Sequence, residues 1–205
     1  MKTEKTQATK VVFGTAQGKL VRLSYLNVFK PRMNSQNKKL EYSVQVMIPK
    51  TNVEDYKAAV AAVEEQKKAF WPNGKLPPRM HNPIKDGDKD VNQKGEPLNV
   101  PGHWVISAKC AAVDDKGVEQ FPPGVVGTQR GTDGKLKPLA ENEIKSGDYG
   151  RVSVNFKGYI KGDGGVGVYL SNIQKVQDGD PLGAGRKSAS DEFADFADEE
   201  EDLLA

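Results

Sequence analysis

Cysteine and histidine are scarce in this 205-residue chain, which contains one Cys and two His. The lone Cys110 excludes an internal disulfide and any cysteine-rich zinc site. A cysteine nucleophile needs a positioned base, for which the chain offers His81 and His103. The apolar residues around Cys110 instead favour a small buried core side chain. We therefore expect no catalytic residue, no metal site and no cofactor.

The chain also lacks any stretch of roughly 18 apolar residues, the length that a membrane-spanning helix needs. Its first ten residues are polar, which is not typical of a signal peptide and predicts local disorder. Charged residues make up 28% of the chain and aromatic residues 7%. We therefore expect a soluble protein that acts in the cytoplasm and has no membrane partner.

Acidic side chains are distributed unevenly. The whole chain has a net charge of +2, but 8 of its 28 Asp and Glu residues lie in residues 191–205, which contain no Lys or Arg. Residues 1–190 therefore carry all 30 Lys and Arg against 20 acids, a net charge of +10. A basic body suits a polyanion, because Lys and Arg displace the counterions condensed on phosphates. The acidic terminus has the same sign as DNA and can compete for that surface.

Alternation of apolar and polar residues predicts five β-strands. The predicted strands cover residues 18–30, 40–48, 104–113, 150–160 and 166–173. Between the second and third, apolar residues at helical spacing and the capping-box pattern Thr51-Asn-Val-Glu54 predict a helix over about 52–70. Two segments rich in Gly and Pro, residues 71–103 and 114–146, indicate long loops. This order favours a mainly β fold, an elaborated five-stranded OB barrel with one covering helix, whose open face binds oligonucleotides.

The C-terminal composition predicts the domain organisation. An OB-fold domain that binds single-stranded DNA would occupy residues 1–182, followed by a flexible linker over residues 183–190, which are rich in Gly, Ala and Ser. Residues 191–205 would form a disordered acidic tail. Four apolar side chains in that tail, Phe193, Phe196, Leu203 and Leu204, indicate a docking peptide for partner proteins, beyond a purely solubilising role.

The strand over residues 150–160 offers the clearest binding face. One face is apolar, and the other combines cations with Tyr159, so that phosphates could be tracked while the ring stacks on a base. The alternative for Tyr159 is packing against a neighbouring strand. In the first strand, Tyr25 and Phe29 alternate in step with Leu23, so a straight strand would place all three side chains on one face. A bend at a bulge would leave one of the two rings in the core and expose the other. Tyr25 is the first candidate for stacking on a base, and Phe29 is the second.

Basic side chains in the first hairpin and a lysine on the third strand complete the predicted interface. The predicted DNA contacts are Arg22, Tyr25, Phe29, Lys30, Arg32, Lys38, Lys39, Lys109, Arg151, Asn155, Lys157 and Tyr159. A competing site is the acidic cluster Asp86, Asp88 and Asp90, which could hold metal ions for a nuclease. A solvated turn is the favoured interpretation of that cluster.

Four stretches resemble phage single-stranded-DNA-binding proteins of the OB-fold type, and specifically a tailed-phage family long described only as a domain of unknown function. They are VRLSYLNVFKP (21–31), YSVQVMIPK (42–50), PIKDGD (83–88) and GDYGRVSVNFKGYIKGDGGVGVYLSNIQKVQDGDPLG (147–183). The resemblance implies an OB fold, single-stranded-DNA binding, and a role in phage replication, recombination or repair.

Acidic C-terminal tails of replication-type single-strand binders contact polymerases, helicases or primases, and they shield the binding groove. The tail of this chain is similar in charge, but it ends in Leu203-Leu204-Ala205, whereas many such tails end in Phe. Phe193 or Phe196 could take that place. The tail therefore predicts phage or host replication proteins as partners.

Other functional classes stay open at the level of the sequence. A strand-annealing recombination mediator would share the same interface. A virion structural or assembly protein without DNA affinity would use the tail as a solubilising arm. The leading hypothesis is a protein that binds and protects single strands with little sequence preference and has no enzymatic activity.

Overall fold

The computed structural model describes residues 7–35, 37–91, 95 and 101–182. Nine strands and one α-helix form the regular structure of these residues. The elements are β1 (Thr9–Phe13), β2 (Val21–Met33), β3 (Leu40–Pro49), α1 (Val53–Phe70), β4 (Ile84–Asp86), β5 (His103–Ala111), β6 (Gly124–Arg130), β7 (Leu136–Pro138), β8 (Tyr149–Tyr159) and β9 (Gly165–Gln177). Gly87–Lys89 and Glu141–Glu143 form short 3-10 helices. The predicted linker and acidic tail lie outside the described residues.

Five of the strands close a hydrogen-bonded ring. β2 pairs with β3, β3 with β5, β5 with β9, β9 with β8, and β8 returns to β2. Each pairing is antiparallel except that of β5 with β9. These are the five strands predicted from the alternating pattern, and their ring, with one helix beside it, confirms the predicted mainly β fold of the OB type.

The alternation of the ring strands places their apolar residues in one core. Leu23, Val46, Ile106 and Phe156 are all fully buried there. Burial of such side chains contributes about 1.5–3 kcal/mol each relative to exposure. Ile160, the last residue of the predicted strand over residues 150–160, is apolar but does not join the core. It lies beyond the end of β8 and is 74% exposed, because the chain turns at that point.

Helix α1 covers one side of the ring and contacts β1, β8 and β9. Asn52 caps the helix by accepting a hydrogen bond from the Asp55 backbone N–H at 3.2 Å, so the predicted cap at Thr51 is wrong by one residue. Small residues on the buried face, Ala59 and Ala62, let the helix approach the strands closely. The buried Gln66 then joins the helix to the sheet, because its Oε1 accepts from the Gly158 N–H at 3.0 Å.

Four short strands were not predicted from the sequence. The segments predicted as loops contain β4, which pairs with β5, and the hairpin of β6 and β7, which pairs with β9. β1 pairs with β8 and begins at Thr9, inside a segment expected to be disordered. No helix in the described part of the chain is long and apolar enough to cross a membrane.

Candidate nucleic-acid interface

A groove of about 1450 Å³ crosses the outer face of the ring where β3, β5 and β9 lie side by side. Its floor includes Ser43 and Gln45 of β3 and Ser107 of β5, which alternate with core residues. Four aromatic side chains line the groove: Tyr25, Phe121, Tyr159 and Tyr169. It therefore combines a polar floor with several rings.

Tyr25 reaches the groove because β2 is bulged. The β2–β3 register shifts between Ser24 and Asn27, and Tyr25 has a φ of 45° in the left-handed region. The Tyr25 side chain is 58% exposed, whereas Phe29 packs against the core. The predicted bend, with one ring exposed and one packed inwards, is confirmed. A non-glycine residue at positive φ is strained, and such strain is typical of binding sites.

Tyr169 lies at the junction of three ring strands. It is opposite Lys109 of β5 and Asn155 of β8. Its ring extends over Gly167: a side chain built on Gly167 would place its Cβ 3.3 Å from the Tyr169 Cε2. With 45% of the residue exposed, the other face of the ring is available to a ligand.

Phe121 is 96% exposed, yet its backbone is held on both sides. The Gln120 N–H donates to the Ala112 carbonyl at 2.8 Å, and the Gly124 N–H donates to Asn172 Oδ1 at 3.2 Å. Pro122 and Pro123, between these two anchors, restrict the chain further. The ring is therefore presented to solvent from a fixed position at the groove.

Five cations and three carboxylates are among the described residues that line the groove. The cations are Arg32, Lys39, Lys85, Lys109 and Lys161, and the carboxylates are Glu41, Asp114 and Asp115. Lys39 forms an ion pair with Asp115, and Lys109 pairs with Glu41 at 3.2 Å. Within the described ranges, Arg32, Lys85 and Lys161 form no ion pair, so their charges are available to phosphates.

Glu41 holds a negative charge on the groove floor. Its side chain is 11% exposed and accepts hydrogen bonds from the Nδ2 atoms of Asn34 and Asn37, each at 2.7 Å. Burial acts to raise the pKa of Glu41, but these hydrogen bonds and the Lys109 ammonium outweigh it and hold the pKa below its usual value. The floor is thus unfavourable for phosphates, which are better placed beside the unpaired cations.

His81 also lines the groove and is fixed through its backbone. Its N–H donates to the Gly164 carbonyl at 3.0 Å, and its own carbonyl accepts from the Val166 N–H at 3.2 Å. Burial lowers the pKa of the His81 imidazole, and the nearby Lys85 and Lys109 lower it further. The imidazole is therefore neutral at neutral pH.

The structure brings seven of the twelve predicted contact residues to one surface. Tyr25, Arg32, Lys39, Lys109 and Tyr159 line the groove itself. Asn155 and Lys157 line a smaller recess of about 530 Å³ that adjoins it, and Tyr159 is common to both.

The other five predicted residues lie elsewhere. Arg22 donates to the carbonyls of Gly147 and Asp180, and Arg151 donates to the Gly14 carbonyl and to Gln174 Oε1. Both guanidinium groups therefore join segments that are distant in sequence. Phe29 packs on the core, Lys30 pairs with Glu141 at 2.7 Å, and Lys38 is exposed in the hairpin tip.

The acidic cluster forms ion pairs with a lysine. Lys50 Nζ lies 2.6 Å from Asp86 Oδ1 and 2.7 Å from Asp88 Oδ2, and Asp88 Oδ1 also accepts from the Gly102 N–H at 2.6 Å. Among the described residues, no group of three His, Cys, Asp or Glu side chains is arranged to hold a metal ion. Cys110 is half-buried beside the groove, and burial, with Glu41 nearby, raises the pKa of its thiol.

Sequence reasoning missed five groove residues: His81, Lys85, Phe121, Lys161 and Tyr169. Tyr169 could have been found, because it alternates with the core residues Val168 and Leu170 and must therefore point outwards. The other four residues lie outside the strands of the ring, so the alternation of a strand could not predict which way their side chains face. The predicted tail residues Phe193, Phe196, Leu203 and Leu204 lie outside the described residues.

A protein-family model described as Enterobacter phage Enc34, ssDNA-binding protein, matches residues 9–204. Protein p50 of Acyrthosiphon pisum secondary endosymbiont phage 1 is 28% identical over 200 residues, covering 90% of this chain and 96% of p50. The structure of the single-stranded DNA-binding protein from bacteriophage Enc34 in complex with ssDNA matches with a TM-score of 0.61 and 23% identity, covering 87% of this chain and 91% of that one. Another structure of that protein gives a TM-score of 0.59 and 24% identity, covering 92% and 91%. These structural likenesses show a shared fold.

Proposed function

The chain belongs to the family of the Enterobacter phage Enc34 ssDNA-binding protein, and on that premise we propose that it binds single-stranded DNA in the groove over β3, β5 and β9. The groove carries this proposal, because four aromatic rings and five cations line one open surface. Rings stack on bases while cations follow the phosphates. Since every base has a π-face, such binding is largely independent of sequence.

The charges of the groove orient the strand. Arg32, Lys85 and Lys161 take phosphates directly, whereas Lys39 and Lys109 first exchange their carboxylate partners. The Lys39–Asp115 pair is exposed, and such pairs contribute about 0–1 kcal/mol, so its exchange costs little. Separating Lys109 from Glu41 costs more, because the Glu41 side chain is only 11% exposed. The carboxylate of Glu41 on the floor repels phosphates, and the bases therefore face the floor and the rings of Tyr25 and Tyr169.

The predicted residues outside the groove have supporting roles in this proposal. Arg22 and Arg151 hold the ring strands to neighbouring segments through their hydrogen bonds to backbone carbonyls. Phe29 fixes the inner side of β2 beneath the Tyr25 bulge. Lys38 adds peripheral positive charge that attracts the strand from solution, whereas Lys30 does so only after releasing Glu141.

The acidic terminus acts as a competitor and a docking segment. Residues 191–205 hold eight acids and no cation, so they compete with phosphates for the basic groove. Phe193, Phe196, Leu203 and Leu204 provide apolar anchors for replication proteins of the phage or the host. The linker over residues 183–190 gives the tail the reach to alternate between the groove and a partner.

The protein thus protects and organises single strands during phage DNA replication, recombination or repair in the cytoplasm of the infected bacterium. It acts by binding, and no catalytic step is part of the proposal. Membership of an ssDNA-binding family favours this role over that of a virion structural protein without DNA affinity. A strand-annealing mediator would use the same groove and would be recognised by faster pairing of complementary strands.

The experiment is the salt dependence of binding to a fluorescent oligo-dT, for the full chain and for a version that ends at Ser190. Both should bind, the truncated chain more tightly. Replacing Lys85 and Lys161 together by Gln should lower the slope of log affinity against log salt by about 1.4, because each phosphate contact on a single strand contributes about 0.7.

A matched control is the pair Lys57→Gln and Lys68→Gln, which removes the same charge from the exposed face of α1. The control slope should equal that of the unchanged protein. If neither chain length binds oligo-dT at low salt, the single-strand function is wrong. Equal slopes for the two double variants would instead place the DNA outside this groove.

A further inference from the structure

The recess beside the groove is continuous with it. Its six lining residues are Ala8, Asn155, Lys157, Gly158, Tyr159 and Tyr169. Tyr159 and Tyr169 line the groove as well, so the two depressions meet at these two rings. The combined surface turns from the β3–β5–β9 face onto the outer face of β8.

The register of β8 and β9 forms the junction. Lys157 is opposite Gly167, and Asn155 is opposite Tyr169. Gly167, the residue opposite Lys157, has no side chain, and the Tyr169 ring therefore extends over it. A ligand stacked on Tyr169 therefore continues towards the ammonium group of Lys157 without crossing a side chain at position 167.

The recess has the chemistry of a phosphate-and-base site. Lys157 is exposed and forms no ion pair among the residues that the structure describes. Asn155 is held in place because its Nδ2 donates to Ser171 Oγ at 2.8 Å. A cation, an oriented carboxamide and two rings are the groups that bind the phosphate and base of a nucleotide in a single strand.

We propose that the bound single strand turns at Tyr159 and Tyr169, leaves the groove, and continues over the outer face of β8, where Lys157 binds a phosphate. This inference rests on the proposed function and extends it by a second DNA segment. A nucleotide already held by the groove brings its neighbour to the recess at high effective concentration, so a single added cation has a measurable effect. A flexible single strand can follow this turn, whereas a stiff duplex cannot.

The test is a series of oligo-dT lengths measured with the unchanged protein and with Lys157→Gln. Short oligonucleotides, which fill only the groove, should bind both proteins equally. Once the strand is long enough to reach the recess, Lys157→Gln should bind more weakly and its salt slope should be lower by about 0.7. Lys157→Arg keeps the charge and should restore both quantities.

Lys57→Gln removes an equal charge from α1 and should leave the whole series unchanged. If Lys157→Gln weakens binding equally at every length, or at none, the strand does not continue into the recess, although the groove function stands. If the unchanged protein binds no length, the proposed function and this extension both fail.

Discussion

The ring of Tyr169 lies over Gly167, two residues earlier on the same face of β9. A Cβ at position 167 would meet Cε2 of the ring at 3.3 Å and its hydroxyl oxygen at 3.6 Å. The 3.3 Å distance is shorter than most real Cβ contacts, whereas the 3.6 Å distance is an ordinary one, so the ring occupies part of the space that a side chain at 167 would need. The glycine therefore determines where this aromatic platform lies within the groove.

Gly167→Val should displace the Tyr169 ring and weaken DNA binding. A stacked base is worth about 1–3 kcal/mol, so the loss should reach about 5- to 150-fold in affinity, close to that of Tyr169→Ala. Valine favours β-strands, which should keep the fold intact. Oligo-dT titration together with a thermal unfolding curve checks both parts.

Gly167→Ala serves as the graded control, because a single methyl group requires the ring to shift by only a few tenths of an ångström. It should bind with an affinity between those of the unchanged protein and Gly167→Val. Unchanged affinity in Gly167→Val with a native unfolding curve would show that the Tyr169 ring is not a stacking platform.

The strained backbone of Tyr25 leads to a second prediction. Its φ of 45° is costly for an L-residue, by about 1–2 kcal/mol, and costs glycine almost nothing. Tyr25→Gly and Tyr25→Ala should lose the same stacking energy, and hence bind oligo-dT equally weakly. Tyr25→Gly should nevertheless unfold at a higher temperature than Tyr25→Ala, because only the glycine variant is released from the strain.

The comparison of the two variants separates binding from stability. Equal unfolding temperatures would show that the bulge relaxes around any small residue. Full affinity in both variants would remove Tyr25 from the interface, whatever their stability.

The alternation of apolar and polar residues was sufficient to predict the five strands of the ring. Their core residues repeat at every second position over long segments, as in β8. β4 and β7 were missed because each has three residues, too few for a period to show. Their strand conformation depends on pairing with β5 and β6, partners that the local sequence does not specify.

The alternation of residues along a strand predicted which side chains face outwards, but it could not predict which other segments cover them. Lys109 and Arg151 both point away from the core, yet Lys109 lines the groove and Arg151 is held by the Gly14 carbonyl. The difference comes from a segment 137 residues earlier in the chain. Phe121 could not be predicted as an exposed groove residue. Its exposure depends on backbone hydrogen bonds of Gln120 and Gly124, which belong to the tertiary structure.

The position of His81 predicts a pH dependence of DNA binding. Burial, Lys85 and Lys109 hold the pKa of the free imidazole below its usual 6.5. Phosphates in the groove favour the protonated form, so DNA raises this pKa and binding takes up a proton. Affinity for oligo-dT should therefore increase as the pH is lowered from about 7.5 to about 5.5, the range in which histidine titrates.

His81→Gln removes the titrating group while keeping a polar side chain. Its affinity should vary less with pH than that of the unchanged protein over the same range. An identical pH profile in the two proteins would mean that no phosphate approaches His81.

Cys110 provides a footprint of the groove without any substitution, because it is the one cysteine in the sequence. It lies among the groove residues of β5, is half-buried, and has a thiol pKa raised by burial. Since the thiolate is the reactive form, alkylation by iodoacetamide should already be slow in the free protein. Saturating oligo-dT should slow it further by covering β5, and protein unfolded in guanidinium chloride should react fastest. If saturating oligo-dT leaves the alkylation rate of the folded protein unchanged while binding is independently verified, the strand does not cross β5, and the binding surface must lie on another face of the ring.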